Sequence, residues 1–269
     1  MNMIVCCKQI PDPEAPPATF KIDPSTHTVI PPPGFPPVIS PFDLNAVEAA
    51  LRIKDTSGGT VTILSLGNNL LPEVIKKPLS MGADELVLLE DEAFEGGDSW
   101  STAHALAMAI KKIGAYDIIF CGRQAADWDS GQIGSGIAEL LELPCVTLAR
   151  DVEIVDGTVQ VGRALDDWYE VVETQMPALI TVSNELGEPR YPTMKGIMEA
   201  TKKQPTKWKP ADIGMDHPAS TGASGRCTRV LKLFQPVREA HCELVSGDSP
   251  DELGVNLASK LREAKVFQF

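Results

Sequence analysis

Before residue 145 the chain alternates four short β-branched apolar runs, MIVCCKQI, TVTILSLG, ELVLLE and YDIIFCG, with segments of helical periodicity. That alternation predicts a doubly wound parallel α/β sheet whose strands return through crossover helices. The first crossover is ISPFDLNAVEAALRIKD. Ser40 is placed as N-cap, Pro41 stands at the first helical position, and Asp43 is positioned to return a capping-box hydrogen bond. Leu44, Val47, Ala50, Leu51 and Lys54 then follow one helical face. Further helices are predicted over 71–81, 99–113 and 130–142.

The pattern changes after residue 145. VEIVDGTVQV reads as two alternating runs about Asp156-Gly157, a hairpin signal, and WYEVVE and PALITV continue as strands, so a β-rich extension joins the α/β core. NELGEPRYPTMKGIMEATKK passes from turns into a short amphipathic helix. A Pro/Lys/Gly-rich stretch to about residue 225 has the composition of a linker or arm. Near the end, Ser249 as N-cap, Pro250 at N1 and Glu252 at N3 mark a helix start. The expected division is an α/β domain over 1–225 and a C-terminal arm with a helix over 226–269. Internal repeats and low-complexity tracts are absent.

With 24 basic against 37 acidic residues, the net charge of −13 argues against nucleic acid or an anionic membrane as principal partner. No apolar run approaches the roughly 20 residues that span a bilayer, and MNMIVCCKQIPDP lacks a signal-peptide pattern. A cytoplasmic or matrix-like protein without membrane insertion is expected. The six cysteines show no C-x-x-C and no ligand spacing with the four histidines, so no metal is expected. Cys6, Cys7 and Cys121 sit in strand-like runs and read as reduced core residues.

The fourth strand ends in CGRQAADWDSGQIGSG, a loop rich in glycine, carboxylates and one indole. In an open α/β sheet, ligands bind outside the carboxyl ends of strands where strand order reverses. Cys6 to Lys8, Leu66-Gly67, Gly122 onward and the helix start at Ser40 to Asp43 all qualify, and together they would line one crevice. Glycines at 122, 131, 134 and 136 would let backbone approach a ligand. A helix beginning near Ser130 or Gly131 would aim free N–H groups at a phosphate, with Asp129 and Gln132 forming a capping box. Asp127 suits ribose hydroxyls or an adenine amino group better than a dianion, so a nucleoside monophosphate is the ligand this chemistry fits. The alternative is a loop that needs its glycines only to turn. Neither G-x-G-x-x-G after the first strand nor G-x-x-x-x-G-K-[ST] occurs. EGGDSWS, at 95–101, follows the third strand and reads as a helix-start loop with Asp98 or Ser99 as cap.

Longer stretches carry a resemblance. VGRALDDWYEVVETQMPALIT, with Val161, Arg163, Asp166, Asp167, Glu170, Val172, Pro177, Leu179, Ile180 and Thr181, resembles the β subunit of electron transfer flavoproteins. Trp168 departs from the Gly, Asp or Glu expected there. VCCKQIPD, GRQAADWDSGQIG and EPRY-x-T followed by IM and lysines agree, so the resemblance covers essentially the whole chain. It implies a Rossmann-like, HUP-type fold and a heterodimer with an α subunit that carries most of an FAD site, the C-terminal arm packing on that subunit. It also implies a structural AMP in this chain, in contact with Cys6, Ser40, Pro41, Phe42, Asp43, Leu66, Gly122, Arg123, Gln124, Ala125, Ala126, Asp127, Trp128, Asp129, Ser130, Gly131, Gln132 and Ile133. Phe42 would lie near the FAD edge. The segment of about 183–203 resembles the family's recognition loop, with Glu188, Pro189, Arg190, Tyr191, Met194 and Ile197 docking an acyl-CoA dehydrogenase-type flavoenzyme. Met194 is the expected apolar anchor, its alternative an inward-facing core position.

On this reading the chain is an electron carrier subunit without catalytic residues of its own, delivering to a quinone-oxidoreductase-type acceptor. A second branch of the family binds another FAD in place of AMP, takes electrons from NADH and bifurcates them. Its loop keeps a small residue where this chain has Trp128, and the indole is expected to occupy the second flavin's space. The inserted PEAPPATF departs from both branches. A stand-alone ATP- or AMP-binding protein is a remote alternative that the missing ATP motif disfavours.

Overall fold

The computed structural model describes residues 1–217, 221–236 and 242–266. Residues 237–241 and 267–269 of the expected arm lie outside them. The chain divides into two compact units, 1–232 and 233–269.

The larger unit begins with β1 (Asn2–Cys6) and β2 (Gln9–Ile10), the small hairpin β3 (Lys21–Asp23) and β4 (Thr28–Ile30), and β5 (Val38–Ile39). Helix α1 (Pro41–Ser57) crosses to β6 (Thr60–Leu66), and α2 (Pro72–Ile75) and α3 (Lys77–Met81) lead to β7 (Glu85–Leu89). Next come α4 (Ser99–Ile113), β8 (Ile118–Gly122) and α5 (Ile133–Leu141). The β-rich part comprises β9 (Cys145–Val155), β10 (Thr158–Ala164), β11 (Tyr169–Thr174) and β12 (Ala178–Val182). After it come α6 (Met194–Lys202), β13 (Thr206–Trp208) and α7 (Gly222–Gly225).

Nine strands form one sheet in the order β11-β10-β9-β12-β8-β1-β6-β7-β13. From β12 to β13 every neighbouring pair is parallel, and β9, β10 and β11 form an antiparallel meander beyond them. Asp156 and Gly157, both at positive φ, turn β9 into β10 as the DG pair predicts. Successive side chains of β1 serve opposite faces. Met3, Val5 and Cys7 join the core with α1, α2 and α3, while Ile4 and Cys6 join the core with α4 and α5. Helices therefore cover both faces, as expected for a doubly wound sheet.

Several boundaries differ from the sequence expectation. The first run breaks after Cys6, and residues 9–10 leave the main sheet to pair with β5. The helix expected over 71–81 is two short helices meeting at Lys76, with Pro78 in the second unable to donate to the preceding turn. The helix expected over 130–142 begins at Ile133 rather than near residue 130, because Asp129 (φ 50°) and Gly131 (φ 63°) lie in the left-handed region. Helix α4 spans Ser99–Ile113 as predicted, capped by Asp98 with Ser101 in reciprocal bonds. In the smaller unit, α8 (Pro250–Glu263) starts on Ser249, whose hydroxyl accepts the Glu252 N–H.

Candidate functional site

Strand order reverses between β1 and β8: from β1 the chain proceeds through β6 to β7 on one side, and β8 lies on the other. The carboxyl ends of β1, β6 and β8, at Cys6, Leu66 and Gly122, open there, and the first turn of α1 meets them. The segments that the sequence placed around one crevice thus lie at adjacent strand ends.

One contact in it corrects the capping-box expectation. Ser40 is the N-cap and Pro41 stands at N1, but neither makes a side-chain cap. The buried Asp43 carboxylate turns away and accepts the Lys8 N–H at 2.8 Å and the Gly122 N–H at 3.1 Å. Lys8 lies past the end of β1 and Gly122 is the last residue of β8, and a buried carboxylate satisfies these two strand-end amides better than its own helix turn does. Burial pushes the Asp43 carboxyl up to about 7, against the lowering effect of those two hydrogen bonds.

The glycines also serve differently from the expectation. A side chain on Gly122 would meet Asp43 Oδ1 at 2.5 Å, and one on Gly134 would meet Thr181 Cγ2 at 2.5 Å. A methyl group on Gly136 would stand 3.0 Å from Ala103 Cβ. These three make room for helix packing, and Gly131 is the one whose positive φ turns the loop.

Within the loop, Lys8 Nζ pairs with Asp127 at 2.7 Å, a link between two crevice walls that sequence reasoning left unassigned. Asp129 accepts the Gln124 side-chain amide at 2.8 Å and so does not cap α5, whose N-cap Gln132 makes no side-chain bond either. The first amides of α5 are left without a side-chain acceptor. The Trp128 and Asp129 N–H groups turn back onto the Ala125 carbonyl, and Ser130 lies against Ser99. Trp128 is 54% exposed, so its indole is not packed into the core beneath the loop. The Arg123 guanidinium lies 4.7 Å over the Phe42 ring, holding Phe42 beside the loop.

Among the described residues, three buried side-chain atoms have no hydrogen-bond partner: Ser40 Oγ, Ser65 Oγ and Arg123 Nε. All three lie at the carboxyl end of the sheet, at the start of α1, the end of β6 and just past β8. Buried polar atoms are almost always satisfied, so this concentration marks a place where an external polar group belongs. A nucleoside monophosphate, with hydroxyls, ring nitrogens and an anionic end, fits such a donor set.

Cys6 and Cys121 are register partners on adjacent strands, and Cys6, Cys7 and Cys121 are free thiols in the core. Burial holds the Cys7 thiol well above its usual range, and the hydrogen bond between Cys121 and Cys6 together with burial does the same for Cys121. Such neutral thiols are poor nucleophiles. Among the described residues no cluster of three or more His, Cys, Asp or Glu could hold a metal, and no helix is long and apolar enough to cross a membrane.

The other predicted residues form a separate surface on the larger unit. Glu188 and Tyr191 are exposed, Pro189 is half-buried, and Met194 is 76% exposed at the start of α6, with Ile197 and Met198 exposed on the same helix. The inward-facing alternative for Met194 is therefore ruled out. Arg190 instead turns inward and pairs with Glu48 and Asp55 of α1. A concavity of about 340 Å3 lies between α3 and α6. Across it, Lys54 donates to the Gly82 carbonyl and Lys203 donates to the carbonyls of Ala83 and Asp84, bracing the end of α6.

The fold and crevice define a doubly wound α/β protein with a switch-point cleft and an outward apolar segment. Residues 36–213 match the electron transfer flavoprotein domain. The chain is 41% identical over 267 residues to the caffeyl-CoA reductase-Etf complex subunit CarD of Acetobacterium woodii, covering 99% of this chain and all of that one. It is 42% identical over 266 residues to the electron transfer flavoprotein subunit beta of Thermoanaerobacterium thermosaccharolyticum, with coverage of 99% and 100%. Identity to protein FixA of Azorhizobium caulinodans is 36% over 247 residues, 89% of this chain and 86% of the other. The chain belongs to the electron transfer flavoprotein β-subunit family.

Proposed function

We propose that this chain is the β subunit of a heterodimeric electron transfer flavoprotein that holds AMP in its crevice and docks an acyl-CoA dehydrogenase-type flavoenzyme through the Met194 surface. The observation that carries the nucleotide is the gathering of Ser40 Oγ, Ser65 Oγ and Arg123 Nε, all buried and unpartnered, around one cleft. The uncapped start of α5 would receive the phosphate, Ser40 and Arg123 would bond the nucleotide, and Asp127 would accept from ribose or adenine. FAD, held mainly by the α subunit, would supply the electron-carrying chemistry. This chain contributes scaffold, nucleotide site and docking surface, and the electrons leave for a quinone-oxidoreductase-type acceptor. The arm of 226–269 is assigned to packing on the α subunit.

A second reading, a bifurcating subunit with another FAD in the crevice and an NADH site, rests on one observation: the Trp128 indole is 54% exposed, so packing does not lock it in the second flavin's space. The CarD relative, named as part of a caffeyl-CoA reductase complex, supports a CoA-thioester flavoenzyme as partner in either case. The deciding experiment denatures the purified two-chain complex and quantifies released nucleotides. About one FAD and one AMP per heterodimer supports the carrier; two FAD and no AMP replaces it with bifurcation. A chain that purifies alone with an adenine nucleotide overturns both.

A further inference from the structure

We propose that Glu48 is a positioning residue for partner docking: through Arg190 it fixes the backbone of residues 186–190 and so sets where Met194, Ile197 and Met198 meet the flavoenzyme. The proposal rests on the docking reading above and adds the part that holds the docking segment in place.

Four side chains of α1, at 45, 48, 52 and 55, recur at three- and four-residue spacing and therefore share one helix face. Each bonds to the stretch 186–190. Asn45 Nδ2 donates to the Gly187 carbonyl at 2.8 Å, and Arg52 Nη1 donates to the Leu186 carbonyl at 3.1 Å. Glu48 accepts from Arg190 three times, from the backbone N–H at 3.1 Å, from Nε at 2.8 Å and from Nη2 at 3.3 Å. Arg190 Nη2 also meets Asp55 at 2.8 Å.

Glu48 is the centre of this arrangement. Its side chain is 6% exposed, and Arg52 Nε supplies a further bond at 3.0 Å. Burial raises the Glu48 carboxyl, but the hydrogen bonds from Arg190 and Arg52 outweigh it and hold the group below its ordinary range. A buried charge is costly unless fully paired, and the helix itself has no need of one at this position. What the pairing achieves is a fixed backbone at residue 190, because the carboxylate grips main chain and guanidinium together. Four residues later the chain presents Met194, and α6 is seated on α3. The apolar surface is thus held from both ends, and at the first end α1 supplies the side-chain bonds to residues 186–190.

The same helix carries Asp43 at its start, in the crevice wall. Placement of the docking surface and shape of the nucleotide site consequently refer to one rigid element of 17 residues.

The test uses the two-chain complex carrying Glu48→Gln, Arg190→Ala, both together, or Met194→Glu as control. Amide hydrogen exchange and steady-state reduction are measured, the latter by an acyl-CoA dehydrogenase supplied with its acyl-CoA. In both single variants, exchange over 186–194 is expected to quicken about tenfold without change in the central strands. The KM for the dehydrogenase should rise about tenfold with kcat nearly unchanged. The double variant should be no worse than either single one, as for residues acting as a unit. Released nucleotide content should equal that of the wild type. If Met194→Glu abolishes reduction while Glu48→Gln and Arg190→Ala leave KM unaltered, docking stands and the positioning role is overturned. If Met194→Glu is also silent, docking and positioning fall together. A loss of kcat and nucleotide in equal measure would make Glu48 a general stability residue and overturn the proposal.

Discussion

The Asp43 carboxylate accepts the Gly122 N–H at 3.1 Å, joining the first turn of α1 to the end of β8 across the crevice. The approach is close enough that a methyl group at 122 would lie 2.7 Å from the Phe42 carbonyl carbon and 2.9 Å from the Asp43 nitrogen. Backbone cannot swing aside as a flexible side chain does. Gly122→Ala is expected to cost on the order of 1–3 kcal/mol through overpacking. Released nucleotide per complex should fall with it; denaturant unfolding and nucleotide quantification check the two together.

Asp43 also sets a pH dependence. Its folded pKa of about 7 lies above the ordinary 3.8, so the folded state binds the proton more tightly than the unfolded chain. The stabilisation is therefore full below about pH 4 and is lost as pH rises toward and through 7. Asp43→Asn removes this titration. Across pH 4 to 8 the wild type should lose on the order of 4 kcal/mol relative to the variant, because each pH step of one between the unfolded and folded pKa costs about 1.4 kcal/mol. Parallel denaturant curves for the two proteins measure it, and identical pH profiles would dispose of it.

Helix α6 approaches α3 through Gly196, where an added side chain would meet the Ser80 carbonyl oxygen at 2.2 Å. Gly196→Ala should lift α6 from its seat. The expected result is a modest loss of stability, about 1–3 kcal/mol, with a larger loss of electron delivery from the dehydrogenase than of bound nucleotide. Thermal unfolding alongside stopped-flow reduction separates those effects.

Asp98 ties down a distant part of the larger unit. Besides capping α4, its carboxylate accepts the N–H groups of Cys227 and Thr228 and the Thr228 hydroxyl at 2.7–2.9 Å. Slight burial raises the carboxyl, but these bonds and the Ser101 N–H hold it down to about 2. A depressed carboxyl stabilises fully above its unfolded pKa near 3.8, and the tether should weaken as pH falls through about 2. Asp98→Ala should speed tryptic cleavage at Arg226 and Arg229 at least several-fold at neutral pH; digestion followed by mass spectrometry reads this directly.

The long periodic elements were legible because burial enforces their periods. The four opening strands, the extent of α4 and the turn at Asp156-Gly157 all follow from local patterns that tertiary contacts reinforce. Misreadings fall where distant partners compete with local ones. Asp43 and Asp129 each have capping-box spacing, yet one takes strand-end amides and the other the Gln124 amide. Residues 206–208, read as linker, gain strand character only by pairing with β7, and the hairpin Lys21–Ile30, just after the inserted PEAPPATF, lacks strong alternation. The crevice was legible at the level of segments. Lys8 with Asp127, and Glu48 with Arg190, were not, since each pair is separated by more than a hundred residues.

The strand order has a consequence for biosynthesis. β12 inserts between β8 and β9, and β13 closes the outer side of β7, although both are among the last strands to leave the ribosome. Until about residue 182 has emerged, the β9–β11 meander has no strand pairing to the parallel strands. β7 keeps an open flank for some 25 residues more. Non-local pairings of this kind form slowly, and an open edge is a template for other chains. A nascent chain of this protein therefore passes through a long interval in which its sheet is two unjoined pieces, the period when a chaperone has most to shield.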